Sequence, residues 1–260
     1  MVRTKSLKFA RYRHGRRAGY ALVEEDRLRP IVGTPFGAWQ AGDDVIALSE
    51  AKLLAPVRPS KVLGVALNYR SHIERSPLPD LHEEPKAPEF FLMPPSAIIG
   101  PEEAIRLPLG SGRVDYEGEL VAIIGRRARR VAPERALEYV LGYTCGNDVS
   151  ARDWQQGDLQ WWRAKGSDTF APLGPWLVTD LDPADLELRT RVNGHEVQHT
   201  NTSSLIHDVA RLVSFASEAM TLIPGDLLYS GTPGSTAPLH RGDVVEVEIE
   251  SIGVLRNLVR

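Results

Sequence analysis

Glu117 and Glu119, separated by one glycine, are the residues whose types and spacing most directly suggest chemistry. Their segment, 114–125, begins with alternating residues and ends as an apolar run, a pattern typical of a β-strand whose second half is buried. Because side chains two apart on a strand share a face, the carboxylates are expected side by side, with Gly118 leaving the opposite face empty. Mg²⁺, Mn²⁺ and Ca²⁺ prefer carboxylate oxygen. The spacing predicts a divalent-cation site, with a solvent-facing acidic strand as the alternative.

A third acid, Asp148, follows a strand-like segment and precedes a predicted helical turn. With Glu117 and Glu119 it would complete a set of three carboxylates, which leaves about three positions of an octahedral Mg²⁺ for water or substrate. The alternative is that Asp148 only caps the helix. Arg152, one helical turn later, faces the same side and could hold the site together or bind a substrate carboxylate.

Two further segments offer polar groups to such a site. Lys165 stands beside a glycine and two hydroxyls in 164–170, and a lysine near a metal has a depressed pKa and can move protons. The tight loop 231–234 follows a buried strand, and its N–H groups with Thr232 could hold a carboxylate. An ordinary surface lysine and a plain turn remain the alternatives.

Composition excludes several classes of protein. The 260 residues carry a net charge of −3 and are 42% hydrophobic, which indicates a large core and gives no overall sign of nucleic-acid binding. The single cysteine, Cys145, excludes an internal disulfide framework and a thiolate zinc cluster. No apolar run reaches the ~18 residues of a membrane span, and no signal-peptide core is present. We expect a soluble, cytoplasmic protein.

The chain divides near Pro56 and Pro59 into a small N-terminal domain, 1–55, and a larger domain, 56–260. The first 17 residues are basic but alternate about a turn, so a surface hairpin is expected there. A buried strand at 62–67 is followed by a polar segment, 70–86, that is expected to be a long loop or lid with one helical turn.

Strands outnumber helices in the remaining pattern. Asn193-Gly194 between alternating segments predicts a hairpin, and alternation over 245–249 predicts a half-exposed strand. Helices are expected over 133–141 and over 204–220, the second capped by Ser204. Without a βαβ rhythm, the pattern predicts a β-rich α+β fold, and the chain carries no GxGxxG, P-loop, HExxH or GxSxG motif.

Ordered sequence blocks resemble the fumarylacetoacetate hydrolase superfamily from about residue 61 to the C-terminus. The blocks are 64–69, 115–120, 142–144 with 147–153, 165–170 with 172–175, 192–194, 197–198, 221–226 and 230–233. The resemblance implies a mixed β-roll or sandwich domain preceded by a small N-terminal domain. It also implies a homodimer, to which Trp161 and Trp162 could contribute an interface, with burial of both side chains in the core as the alternative.

The resemblance assigns roles to residues that match the family's motifs. It implies Glu117, Glu119 and Asp148 as ligands of Mg²⁺ or Mn²⁺, with Ca²⁺ possible in crystals. It implies Lys165 as a proton-handling or oxyanion-stabilising residue. It places Arg152, Gln155 and Thr232 near the substrate.

Members of the superfamily act on small 2-oxo or 1,3-dicarbonyl acids. The resemblance implies that the metal chelates the 2-oxo acid and stabilises an enolate-like charge. C–C hydrolysis of acylpyruvates or fumarylpyruvate in aromatic catabolism is the first expectation. Isomerisation of 2-hydroxyhepta-2,4-diene-1,7-dioate or 2-oxo acid decarboxylation is the second, and a catalytically silent metal-binding protein is a distant third.

Residues of the predicted lid, 70–86, distinguish hydrolysis from the other reactions. The resemblance implies that hydrolytic members carry a histidine in the lid and a glutamate three residues later, and that these two residues together activate water. Here His72 matches the histidine, but Arg75 stands three residues on, and Glu74 lies one position early, about 100° away round a helix. His72 and Glu74 are the lid candidates for catalysis, and Glu83 or Glu84 could substitute. Met93 stands where the family commonly has lysine.

Overall fold

The protein is described from a computed structural model, which covers residues 6–75 and 83–260. The first eleven strands are β1 Lys8–His14, β2 Arg17–Glu24, β3 Arg27–Gly33, β4 Trp39–Ala41, β5 Ile46–Ala47, β6 Lys52–Leu54, β7 Val62–Ala66, β8 Glu89–Met93, β9 Ile98–Ile99, β10 Val114–Asp115 and β11 Gly118–Ile124. The others are β12 Val140–Asn147, β13 Ser150–Ala151, β14 Ala171–Val178, β15 Glu187–Val192, β16 His195–Asn201, β17 Leu227–Tyr229, β18 Val244–Ile249 and β19 Gly253–Leu258.

Helices are short and few among the described residues. The α-helices are α1 Arg70–Ile73, α2 Arg152–Gly157, α3 Trp162–Gly166 and α4 Val209–Ala219. The 3₁₀ segments are Leu48–Glu50, Pro95–Ala97, Pro133–Tyr139 and Thr202–Ser204. Within the described ranges, no helix has the length and apolar character needed to cross a membrane. The predicted β-rich α+β fold is confirmed.

A 13-stranded sheet forms the body of the molecule, in the order β4-β3-β2-β1-β14-β12-β11-β17-β7-β8, with β5, β6 and β9 paired off this path. The N-terminal strands belong to this sheet because β1 pairs with β14, with Phe9 opposite Leu177. A second sheet has the order β16-β15-β18-β19, and β10 pairs separately with β13.

Strand β11 is buried on both faces, as its apolar run predicts. Leu120, Ala122 and Ile124 belong to a core cluster that includes residues of the second sheet. Val121 and Ile123 belong to a different cluster on the opposite side. The strand is therefore enclosed between two layers, which fixes the position of the acidic residues at its beginning.

The expectation that Gly118 leaves an empty face is wrong. A Cβ atom at residue 118 would lie 2.0 Å from Thr190 Oγ1 and 3.3 Å from Val247 Cγ1. The Gly118 N–H also donates to Gln198 Oε1 at 3.1 Å. Strands of the second sheet occupy this face, so the glycine permits a close approach of the two sheets.

The helix predicted over 133–141 ends too late. Helical structure stops at Tyr139, and Val140 and Leu141 begin β12. Val140 pairs with Ile124 of β11, so cross-strand pairing overrides the helical spacing of apolar residues.

The helix predicted over 204–220 begins too early. Its N-cap is Asp208, whose side chain accepts from the Arg211 N–H at 2.7 Å, and Ser204 lies in a separate 3₁₀ segment. Ile206 N donates to Asn68 O at 2.9 Å. The Asn68 side chain bonds both backbone groups of His207, at 2.9 and 2.8 Å. These long-range bonds hold the chain in a non-helical conformation before Asp208.

Three local predictions are confirmed. The N-terminal hairpin is formed by β1 and β2. Asn193 and Gly194 turn between β15 and β16 with φ of 53° and 79°, as a type I′ hairpin requires. Strand β18 alternates between half-buried and buried residues along its length.

Candidate active site

Three acidic side chains converge at the beginning of β11. Glu117, Glu119 and Asp148 are at most 4% exposed, and each offers an oxygen within 4.8 Å of those of the other two. Pairing of β11 with β12 places Gly118 opposite Asn147, and Asp148 N donates to Glu117 O at 2.8 Å. The antiparallel ladder therefore brings Asp148 to the two glutamates.

The predicted continuous strand over 114–125 is interrupted at residues 116–117. Strand β10 ends at Asp115, and β11 begins at Gly118. Glu117 lies in the interruption, where its N–H donates to Asn147 Oδ1 at 2.8 Å. The two glutamates are close, as predicted, but an asparagine side chain supports the backbone between the strands.

The three carboxylates have different electrostatic environments. Burial, followed by the charges of Asp148 and Glu117, raises the pKa of Glu119 well above its ordinary value. Burial also raises the pKa of Asp148, to about 7, although Lys165 opposes the shift. Burial would likewise raise the pKa of Glu117, but the charges of Lys165 and Arg152 lower it far below its ordinary value.

The acidic cluster fits a hard divalent cation. Asp148 Oδ1 is buried and has no hydrogen-bond partner within the described residues. One oxygen of Glu119 accepts from the Gly231 N–H at 2.7 Å. Three close carboxylates with an orphaned buried oxygen form a donor set of the kind that Mg²⁺ and Mn²⁺ bind.

Lys165 lies against the same carboxylates. Its Nζ donates to Glu117 Oε2 and Asp148 Oδ2, both at 2.7 Å, and the residue is 3% exposed. Burial would lower the pKa of Lys165, but the charges of Asp148 and Glu117 raise it above its ordinary value. The carboxylates that would hold a metal here therefore also stabilise the ammonium group of Lys165.

Arg152 braces the acidic cluster. Its Nε donates to Asp115 at 3.0 Å, its Nη1 to Gln155 at 2.8 Å, and its Nη2 to both Glu117 and Thr236, at 2.5 and 2.8 Å. All three nitrogens are therefore engaged within the chain. Of the two roles that the sequence left open, this geometry corresponds to holding the site together.

Asp115 is the residue that the sequence analysis missed. It is fully buried, and its carboxylate accepts from Arg113 twice at 2.9 Å, from Arg152 at 3.0 Å and from Thr236 at 2.7 Å. Burial would raise the pKa of Asp115, but the Arg113 hydrogen bonds and the Arg152 charge lower it. Its place two residues before Glu117 in an alternating segment was the available signal.

Thr232 and Gln155 also line the cavity. The Thr232 hydroxyl donates to Gly118 O at 3.0 Å and accepts from Gln198 Nε2 at 2.9 Å. Gln155 accepts from Arg152 through Oε1. Both side chains are buried, and the Thr232 hydroxyl proton is committed to the backbone of β11.

His72 reaches the cavity from α1. Its Nδ1 lies 2.7 Å from Gly234 O, so the Nδ1–H tautomer donates to that carbonyl and turns Nε2 away from it. Burial lowers the pKa of His72, with the nearby Glu117 charge opposing the shift. The imidazole is therefore held neutral, in a fixed orientation, on the cavity wall.

The predicted lid carboxylates do not reach this wall. Glu74 is exposed at the end of α1, and the cavity is lined by other residues. Glu84 pairs with Arg70, and Glu83 is exposed. Part of the predicted lid, 76–82, lies outside the described residues. The geometry gives no support to a catalytic Glu74.

Apolar residues complete the cavity. Phe91 and Trp161 form an edge-on pair with ring centroids 5.6 Å apart, and Lys165 Nζ lies 5.2 Å from the Phe91 centroid. Met93, which replaces the commonly found lysine, is 2% exposed in the apolar core. At the end of β8, this chain therefore has an uncharged, buried side chain where the family commonly has a lysine.

Two family models together match most of the chain. Residues 61–260 match the model described as fumarylacetoacetate (FAA) hydrolase, C-terminal. Residues 7–56 match the model described as Rv2993c-like, N-terminal. The first match includes every candidate site residue considered above.

Similar proteins have names that describe different reactions. The structure of 5-carboxymethyl-2-hydroxymuconate delta-isomerase from Mycobacterium smegmatis has a TM-score of 0.90 at 45% identity, covering 97% of this chain and 98% of that one. Oxaloacetate tautomerase fahd2, mitochondrial, from Xenopus laevis is 38% identical over 239 residues, which are 87% of this chain and 74% of that protein.

A third relative bears on the metal. The structure of maleylpyruvate hydrolase from Sphingobium sp. SYK-6 in complex with manganese (II) ion and pyruvate has a TM-score of 0.80 at 30% identity. It covers 97% of this chain and 98% of that one. A related structure thus holds manganese, and the buried triad of this chain could hold a metal ion.

Proposed function

The chain belongs to the fumarylacetoacetate hydrolase family, and from that premise we propose that it isomerises small 2-oxo acids by a metal-dependent proton shift, without adding water. The observation that carries the proposal is the partner of His72, which is the backbone carbonyl of Gly234. Within the described residues, no carboxylate forms a hydrogen bond with this imidazole.

In the part of the chain that the structure describes, His72 lacks the carboxylate partner that activation of water usually requires. A histidine that deprotonates water is usually assisted by a carboxylate that stabilises the resulting imidazolium. Here burial lowers the pKa of His72, and Arg75 stands where the hydrolytic pattern has glutamate. Proton transfer at the carbon next to the 2-oxo group needs a neutral base and stabilised enolate charge but no activated water, so it suits this histidine better than hydrolysis does.

The metal would be held by Glu117, Glu119 and Asp148. When bound, it would supply a positive charge that stabilises enolate charge on the substrate. The cationic Lys165, fixed by Glu117 and Asp148, adds a buried positive charge on the same side of the cavity.

The remaining steps belong to His72 and the cavity walls. Neutral Nε2 accepts a proton from C3 of the 2-oxo acid, and the imidazolium returns a proton to the oxygen or to the far carbon of a conjugated system. Phe91 and Trp161 form an apolar wall beside the enolate. Atoms balance because His72 returns one proton for each proton that it takes from C3, and the imidazolium proton exchanges with solvent before it is returned.

The names of two relatives support this choice. The Mycobacterium smegmatis protein is named an isomerase, and the Xenopus laevis protein is named a tautomerase. Both reactions move a proton without adding water. The relative named as a hydrolase has lower sequence identity to this chain than either of them.

The test is conversion of 2-oxo acids by purified protein with Mg²⁺ or Mn²⁺. We expect oxaloacetate enol to ketonise, and a 2-hydroxy-2,4-dienedioate to give an isomer of unchanged mass. His72→Gln should reduce both rates by about 100-fold, since it removes the general base. Glu134→Gln, an exposed residue away from the cavity, is the matched control and should leave them unchanged. Full activity of the His72 variant would contradict the proposed role.

A further inference from the structure

The candidate active-site cavity lies next to a second depression. Ala66, Phe91 and Trp161 line both the cavity and an adjoining groove between β8 and residues 159–162. The groove therefore adjoins the cavity, and the Phe91–Trp161 pair lies between them.

The outer part of this groove is apolar and exposed. Leu92 is 55% exposed, Trp162 is 67% exposed and Leu159 is fully exposed. Large apolar side chains at such exposure cost free energy in water unless something covers them. Their concentration at the mouth of one cavity indicates a ligand surface.

The charges around the groove select against an anion. Among the described residues that line it, the only charged side chain is Glu89. The cavity's two cations, Arg152 and Lys165, are bonded to carboxylates of the chain. A second carboxylate on the substrate would find no partner cation in the groove and would be repelled by Glu89.

The route from the acidic cluster to the groove is short. Lys165 Nζ contacts Glu117 and Asp148 on one side and lies over the Phe91 ring on the other. A 2-oxo acid whose carboxyl end is held at the acidic cluster would thus pass Phe91 with its next few carbons. The groove beyond Phe91 therefore lies where the distal part of such a substrate would bind.

We propose that this groove is the substrate-tail subsite, and that the protein prefers 2-oxo acids with an uncharged aryl or alkyl tail over dicarboxylates. The proposal rests on the proposed isomerase function and names its substrate class. It predicts a preference different from the tricarboxylate, 5-carboxymethyl-2-hydroxymuconate, in the name of the Mycobacterium smegmatis relative.

Deuterium exchange at C3 in D₂O with Mg²⁺, followed by mass spectrometry, tests both proposals separately. Three acids are compared: 2-oxobutanoate, which lacks a tail, 2-oxo-4-phenylbutanoate and 2-oxoglutarate. We expect kcat/KM for the phenyl acid to exceed that for 2-oxoglutarate by about tenfold or more. Trp162→Ala should reduce the ratio of phenyl to tail-less kcat/KM by about fivefold. Leu109→Ala, a 93% exposed apolar residue outside the groove, should leave the ratio unchanged.

A binding titration keeps the subsite testable without turnover. Calorimetry with the Mg²⁺-loaded protein should show tighter binding of the phenyl acid than of 2-oxoglutarate, and Trp162→Ala should abolish the difference. Exchange that is absent while this difference persists would overturn the isomerase function but support the subsite. Equal or tighter binding of 2-oxoglutarate would overturn the subsite, as would a Trp162 variant that alters only the oligomeric state in size-exclusion chromatography.

Discussion

The two sides of the candidate active site are built differently. On the acidic side, Asp115, Glu117 and Arg152 are buried and joined by hydrogen bonds to fixed partners. On the groove side, Leu92 and Trp162 are largely exposed and make no comparable network. The difference indicates that the reacting end of the substrate is bound by a preorganised site, while substrate choice is decided at a surface that can vary at small cost in stability.

Loss of the Asp115 charge from the buried hydrogen-bond network should show the largest effect on stability. Asp115→Asn removes the carboxylate charge shared by Arg113 and Arg152, and we expect the free energy of unfolding to fall by about 3 kcal/mol, because among the described residues the buried Arg152 keeps only Glu117 as a carboxylate partner. Urea denaturation measures the change. Glu24→Gln breaks the exposed Glu24–Arg29 pair and should have little effect. Equal effects of the two variants would remove the distinction between the buried network and the surface.

Metal binding should depend on the acidic side alone. Glu119→Ala removes one of three converging carboxylates, and we expect Mn²⁺ affinity to fall by about 100-fold. Calorimetric titration of Mn²⁺ provides the measurement, with Glu134→Ala as the control. Unchanged affinity in the Glu119 variant would exclude this residue from the ligand set.

The close approach of the two sheets should make residue 118 sensitive. Gly118→Ala places a methyl group 2.0 Å from Thr190 Oγ1, and we expect about 2 kcal/mol of destabilisation. Thr190→Ala in the same chain should restore much of it, since that oxygen is the nearest atom. Gly157→Ala, with no atom within 4 Å, is the matched control. A fully stable Gly118 variant would show that the sheets separate easily at this point.

The pH dependence of turnover tests the state of His72. The reaction requires the neutral imidazole, and burial lowers the pKa of His72 below its ordinary value of 6.5. Turnover at saturating metal and substrate should therefore stay constant as the pH falls to 6.5 and decrease only below it. A decrease centred above pH 6.5, with the metal still bound, would contradict a lowered pKa of His72.

Local sequence patterns predicted much of the acidic side. Glu117 and Glu119 flank one glycine, and Asp148 follows a strand, so spacing and resemblance both indicated the cluster. The interruption at residue 117 was not predicted, because it depends on Asn147 from the neighbouring strand. Arg152 had two possible roles, and only its contacts with Asp115 and Glu117 distinguish them.

Errors in the fold prediction arose from contacts distant in sequence. Val140 extends because it pairs with Ile124, and residues 206–207 are held out of helix α4 by Asn68. The groove was also beyond sequence analysis, since β8 and the segment 159–162 meet only in the folded chain. Local periodicity cannot report which distant segment supplies a hydrogen bond or leaves a side chain exposed.

The most direct test of the central claim follows the solvent atoms. An acylpyruvate is incubated with the Mg²⁺-loaded protein in D₂O enriched in H₂¹⁸O, and the products are separated by mass. Our account predicts deuterium at C3 of an acid whose carbon skeleton is intact. Pyruvate together with a carboxylic acid carrying ¹⁸O would show that water attacks the carbonyl carbon, and would contradict an isomerase.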